Sequence, residues 1–212
     1  MTWSTASALL RAGCAMLLFA LSAAPAQAVE HVVTSLLEMR RVHVVIQHWD
    51  LSCGAAGLAT LLRYQYGVPV TEKQIALFMM NRPEYLKNPE LVRVREGFSL
   101  LDLKRYTDAH GYLGVAYGQL ELKDLVKMAP IMVPIHILGY NHFVIFRGML
   151  GNRVLLADPA WGNRTMLVQE FLHYWIDFPQ LGHVGFVVER RDGVEGPPNE
   201  LAMRPGDFVM LR

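Results

Sequence analysis

Helical and strand signals are segregated along this chain, and that segregation restricts the architectures open to it. Between Cys53 and Tyr66 small and aliphatic residues crowd together (Gly54, Ala55, Ala56, Leu58, Ala59, Leu61, Leu62), as a buried helix requires. Gly67 and Pro69 close it. Thr71-Glu-Lys-Gln74 has capping-box spacing and predicts a second helix through Met80. Residues 81–97, with Pro83 and Pro89, read as a loop with some helix. Ser99 caps a predicted third helix that ends at Gly111, and a short one over 120–128 precedes Pro130. Beyond Pro130 the character changes. Ile131–Leu138, His142–Arg147, Arg153–Ala157 and Val184–Glu189 are β-branched or aromatic runs broken by Gly, Asn and Pro. A further β-like run covers Val42–Ile46, after a helix or arm over 30–41. Helices first and strands afterwards predict an α+β fold, with N-terminal helices packed against an antiparallel β-sheet.

The N-terminus belongs to a different argument. Arg11 is the only charge in residues 1–28, and it precedes the apolar run Cys14–Ala24. Pro25 then leads into Ala26-Gln27-Ala28, a small-residue cleavage site. This pattern predicts a signal peptide over 1–28, followed by a folded domain over 29–190 and a tail over 191–212 that lies on the surface or adds a final edge segment. The apolar run is shorter than the ~20 residues a membrane-spanning helix needs, so no stable span is expected after cleavage. The protein is expected to be exported, in the periplasm. Without Arg11 the 20 basic and 19 acidic residues become 19 of each. A neutral chain has no global field to draw it onto nucleic acid or anionic lipid. Of the two cysteines, Cys14 leaves with the leader, so Cys53 has no disulfide partner within the chain.

The surroundings of that lone thiol carry chemistry. In Gln47-His-Trp-Asp-Leu-Ser-Cys53-Gly54 the cysteine opens a helix, where the dipole and free N–H groups favour a thiolate. Gln47 is close enough in sequence to set its amide beside the Cys53 N–H, two donors for an oxyanion. Farther on, two apolar segments each carry one ionisable group at an end: Asn141-His142-Phe-Val-Ile-Phe-Arg147 and Arg153-Val-Leu-Leu-Ala-Asp158. A five-residue loop over Gly148–Asn152 would set His142 directly opposite Asp158, at the cost of placing Arg147 opposite Arg153. A tighter Gly151-Asn152 turn would set Asp158 opposite Ile145 and part the two. The wider loop is the expectation here.

Taken together, Gln47, Cys53-Gly54-Ala55-Ala56, Asn141-His142-Phe-Val and Asp158-Pro159-Ala160 resemble the C39 peptidase family of the papain-like clan, over residues 44–175. The resemblance implies a cysteine peptidase without metal or cofactor, acting on a polypeptide. Cys53 would be the nucleophile, His142 the base and then acid, Asp158 the orienting acid and Gln47 the oxyanion-hole side chain. Well-known members are domains of ABC transporters that cut leader peptides after a double glycine. This chain shows no transporter segment, so that preference is not carried over. Stand-alone exported relatives include partners of functional-amyloid secretion, and a secretion-system partner is one expectation. Two other readings of the same residues stay open: a non-catalytic peptide-binding cleft assisting export, and an acyl transferase using the same triad.

Other residues carry less. His48 lies too near Cys53 in sequence to face it across a cleft, Asp50 reads as an N-cap or loop residue, and His136 reads as a hydrogen-bonded strand residue. His31, His43, His110, His173 and His183 lack the spacing of a zinc site. Trp49 and Trp161 read as core or rim residues.

Overall fold

The computed structural model describes residues 34–193 and 196–208. The predicted leader over 1–28 lies outside them. Eight α-helices and eight strands follow in order among the described residues, with one short 3-10 helix, Pro205–Asp207, at the end. α1 (Leu36–Arg41) is a single capped turn and a half; α2 (Cys53–Tyr66), α3 (Glu72–Met80), α4 (Pro83–Lys87), α5 (Glu90–Val94) and α6 (Leu100–Ala109) form the helical half. β1 (Tyr112–Tyr117) and α7 (Leu122–Met128) lead into β2 (Ile131–Ile137), β3 (Tyr140–Leu150), β4 (Arg153–Asp158) and β5 (Gly162–Leu167). α8 (Val168–Tyr174), β6 (Asp177–Phe178), β7 (Gly182–His183) and β8 (Gly185–Arg190) complete the domain.

Local chemistry explains the helical half. α2 is buried at every position from Cys53 to Leu62, which its small residues allow. Thr71 with Gln74 and Ser99 with Asp102 form reciprocal capping boxes at the starts of α3 and α6. The six-stranded sheet has the order β1-β8-β2-β3-β4-β5, every neighbour antiparallel, and β6 and β7 make a separate pair. The fold is α+β. Period-two alternation divides the sheet between two cores. On one side Met132, Ile145, Ala157 and Phe186 pack with Leu58, Leu61, Ile75 and Leu103 of the helical half. On the other, Val133, Val144, Phe146 and Leu156 pack with Leu125, Phe171 and Trp175.

Several expectations need correction. Val42–Ile46 is not a strand; Val45 spends its N–H on Thr60 Oγ1, at 2.9 Å, and Gln47 on the Pro159 carbonyl. The β3–β4 hairpin does not use the wide loop. Leu150 pairs with Arg153, so Gly151-Asn152 is a two-residue turn, the connection that best matches strand twist. A β-bulge at Arg147 then takes up one extra residue, between the pairs Phe146–Leu156 and Gly148–Leu155. Arg147 and Arg153 therefore do not face each other.

The tail keeps most of its described residues exposed and buries two of them. Leu201 is fully buried and Phe208 nearly so. The bulged Arg147, itself buried, donates to the Leu201 carbonyl at 3.0 Å and to Asp207 Oδ2 at 2.7 Å. Its guanidinium stacks on the Phe208 ring and reaches Asn163 Oδ1 at 3.0 Å. The residue expelled from the ladder is thus the anchor for residues 200–208.

Candidate active site

The site is assembled where the start of α2 meets one end of the sheet. Ser52 makes no side-chain cap to α2, so the first N–H groups of the helix have no intrahelical acceptor and no capping oxygen. The Ser52 hydroxyl is instead turned to Glu72 Oε1, 2.5 Å away. Glu72 is 3 % exposed and also accepts the His48 backbone N–H at 3.0 Å and His48 Nδ1 at 2.9 Å. One buried carboxylate from α3 therefore ties down both ends of the loop that delivers Cys53. Within that loop Leu51 holds φ 66°, a conformation rare for a residue with a side chain. Gly97 meets it from outside: a Cβ there would lie 2.9 Å from the Leu51 carbonyl oxygen.

Removing this tether has a defined consequence. Glu72→Ala removes the acceptor of the part-buried His48 N–H and leaves the Ser52 hydroxyl only the Trp49 carbonyl, at 2.6 Å, so the loop loses its link to α3. The loop before the nucleophile then loosens, and displacements of about 1 Å at a reacting group cost on the order of 100-fold in rate. Glu72→Ala is expected to lower kcat by 10-fold or more (order-of-magnitude expectation from) with a smaller change in KM. Glu72→Gln, which keeps one acceptor oxygen, should recover part of the loss. Equal kcat in all three proteins would remove the tether from the account.

Cys53 is the first residue of α2. Gly54 lets the sheet approach closely: a Cβ at Gly54 would sit 3.4 Å from the Phe143 ring, next in sequence to His142. His142 Nε2 lies 2.8 Å from Asp158 Oδ1, and both residues are buried. The bulge explains the contact. Ile145 pairs with Ala157, so Asp158 falls one step outward, beside Val144, on the same side of the sheet as His142. Without the extra residue, the two-residue turn would leave Asp158 opposite Ile145, on the other face. With Nε2 engaged by Asp158, Nδ1 is the nitrogen left for the sulfur.

Electrostatics reinforce the geometry. Burial acts to depress the His142 pKa, but the hydrogen bonds to Asp158 and Cys53 outweigh it and raise the value to about 9. Burial acts to raise the Asp158 pKa, yet the bond to His142 and the charge of Arg164 hold it below the ordinary carboxylate value. Asp158 Oδ1 also accepts the Ala160 N–H at 2.8 Å, and Arg164 Nη2 forms an ion pair with Oδ2 at 2.8 Å.

Gln47 is near but differently engaged. Its backbone N–H donates to the Pro159 carbonyl at 2.8 Å, which ties the loop before Cys53 to the segment after Asp158. Its side-chain amide donates to the Trp49 carbonyl at 3.2 Å. His48 lies in the Glu72 tether and His136 contacts Asn141 Oδ1, while Trp49 and Trp161 are exposed. Glu72 and Arg164 are the residues that sequence reasoning missed. Glu72 was visible only as part of a local capping pattern, and nothing in the sequence links Arg164 to Asp158.

Comparison with known proteins places the chain in a family. Residues 41–178 match the peptidase C39 family. The chain is 36 % identical over 175 residues to the probable functional amyloid protease FapD of Pseudomonas aeruginosa, covering 81 % of this chain and 74 % of that protein. It is 35 % identical over 188 residues to FapD of Pseudomonas fluorescens, covering 87 % and 80 %. Among solved structures, the peptidase domain of Streptococcus ComA superposes with TM-score 0.55 at 14 % identity, over 71 % of this chain and all of that one. A double-glycine-motif protease from an AMS/PCAT transporter, solved with its leader peptide, gives TM-score 0.53 at 22 % identity, over 69 % and 90 %. These two likenesses are of fold. The family match and the identity to full-length relatives place the chain itself: it belongs to the peptidase C39 family of cysteine peptidases.

Proposed function

We propose that this peptidase cuts peptide bonds of an exported protein with Cys53, His142 and Asp158, and that its substrate belongs to a functional-amyloid secretion system. His142 holds the proton of the Cys53 thiol at Nδ1 before substrate arrives, and the thiolate attacks the scissile carbonyl. The Cys53 N–H and the Gln47 side-chain amide stabilise the oxyanion, for which the Gln47 side chain turns from the Trp49 carbonyl. His142 then passes its proton to the leaving amine, the C–N bond breaks, and water activated by the same imidazole hydrolyses the thioester. Asp158 holds the ring and its charge throughout.

The observation that carries this reading is the buried His142–Asp158 hydrogen bond at 2.8 Å beside the uncapped start of α2. Export is supported by the signal-peptide pattern over 1–28. The amyloid assignment is supported by likeness to the two Pseudomonas proteases. The test compares the exported proteomes of a wild-type strain and one carrying Cys53→Ala, with termini mapped by mass spectrometry. The expected result is one exported protein whose terminus is shortened in wild type alone. Identical termini in both strains would sink the proposal.

A further inference from the structure

We infer that Arg147 is a positioning residue for Asp158, and that residues 200–208 act through it as a strap keeping the carboxylate aimed at His142. This inference rests on the reading of His142 and Asp158 as partners in the reaction. Asp158 lies close to a broken piece of ladder. Two pairs, Phe146–Leu156 and Ile145–Ala157, separate it from the bulge at Arg147, and the β3–β4 pairing stops there. A bulged residue makes no ladder contact of its own, so the face on which Asp158 emerges depends on what holds Arg147 out of line. The strap lies beyond residue 178, where the family match ends.

Two sets of contacts hold it. The guanidinium donates to the carbonyls of Glu200, Leu201 and Ala202 at 3.3, 3.0 and 3.2 Å, and to Asp207 Oδ2 at 2.7 Å. Met203 closes over the next residue, since a Cβ on Gly148 would lie 3.1 Å from its sulfur. The second set crosses the sheet. Arg147 Nη1 passes β4 to reach Asn163 Oδ1 on β5, at 3.0 Å. Asn163 sits between the two β5 residues that touch Asp158: Gly162, its ladder partner, and Arg164, its ion-pair partner at 2.8 Å. One planar fork therefore ties the strap, the bulge and the β5 side of Asp158 together, a geometry that the single point of charge on a lysine does not supply.

A buried arginine can also serve stability alone, and the two roles differ in what happens to the His142 proton. A strap that only stabilises lowers the thermal midpoint when it is lost and leaves the folded molecules titrating as before. A strap that positions Asp158 takes the carboxylate off Nε2 when it lets go, and burial then drives the imidazolium to release its proton at lower pH. That effect vanishes once Asp158 has no charge to position.

The test titrates His142 by NMR in the protein from Val29 onward, made with isotope-labelled histidine and carrying Leu201→Asp, which sets a charge at a fully buried position of the strap. Amide hydrogen exchange over residues 200–208 verifies that the strap has come away, and a cooperative thermal transition verifies that the domain is folded. The expected midpoint of His142 is near 9 in the wild type and lower by about one pH unit or more in Leu201→Asp. Asp158→Asn should lower it as well, and Leu201→Asp added to Asp158→Asn should move it no further. Should Leu201→Asp fail to fold, Asp207→Ala takes its place: it removes the strap's carboxylate at a side chain 13% exposed, and a smaller shift of the same sign is expected. In either variant, a His142 midpoint that stays near 9, or a shift just as large when Asp158→Asn is already present, overturns the inference and leaves the His142–Asp158 pair standing. A midpoint that Asp158→Asn itself leaves unmoved removes that pair and the inference with it.

Discussion

Cys53→Ala is expected to lower peptide turnover by about ten-thousand-fold or more while leaving the fold intact. The size follows from the role: no other group on α2 can form the acyl intermediate, and in enzymes whose nucleophile and base act as a unit, loss of either removes nearly the whole effect. The fold survives because the change is small. Cys53 opens α2, where alanine is the better helix former, and the void left by one sulfur costs about 1 kcal/mol. Cys53→Ser makes the sharper control. It keeps the volume and a proton-bearing atom but replaces the thiol with a hydroxyl that ionises far less readily, so it too should be inactive. Turnover and thermal midpoint, measured together, separate loss of chemistry from loss of structure. A Cys53→Ala protein that retained a tenth of wild-type kcat would end the assignment.

What the sequence disclosed and what it withheld follow from the range of the interactions involved. The caps at Thr71 and Ser99 are contacts between residues three apart, and the all-round burial of α2 is written in its small residues, so both could be read directly. The strand β1 could not. Gly114 interrupts its pattern, and the reason lies elsewhere in the chain: a Cβ there would run into Thr107 and into Phe186 of the neighbouring strand. The hairpin is the most instructive case. Sequence reasoning required His142 and Asp158 to share a face and supplied the wide loop that would do it. The chain uses the tight turn and restores the face with a bulge, whose cause is a set of acceptors 53 to 60 residues downstream of Arg147. Glu72, 24 residues from the backbone it tethers, was hidden for the same reason.

Asp158→Asn is expected to lower kcat/KM near neutral pH by about 100- to 10,000-fold and to displace the alkaline limb of its pH profile. In the wild-type protein His142 keeps its proton up to about pH 9, because its hydrogen bonds to Asp158 and Cys53 outweigh the opposing effect of burial. With the carboxylate gone, burial acts without its strongest opponent, and the imidazolium deprotonates at lower pH. The alkaline limb should therefore move from near pH 9 toward the acid side, and an amide whose NH2 faces Nε2 would favour the wrong tautomer as well. Stability carries the same signature. A histidine whose folded pKa lies above its ordinary value of 6.5 stabilises the fold fully below 6.5 and loses that contribution as pH rises through 9. Asp158, whose folded pKa is depressed, contributes above its ordinary value of 3.8 and loses that contribution as pH falls below it. Urea midpoints should accordingly fall between pH 7 and pH 10 in the wild type, and that fall should shift toward neutral pH in Asp158→Asn. An alkaline limb that stayed near pH 9 in the variant would mean that the carboxylate does not hold the proton on His142, and the ion pair at the centre of the mechanism would have to be assigned to other groups.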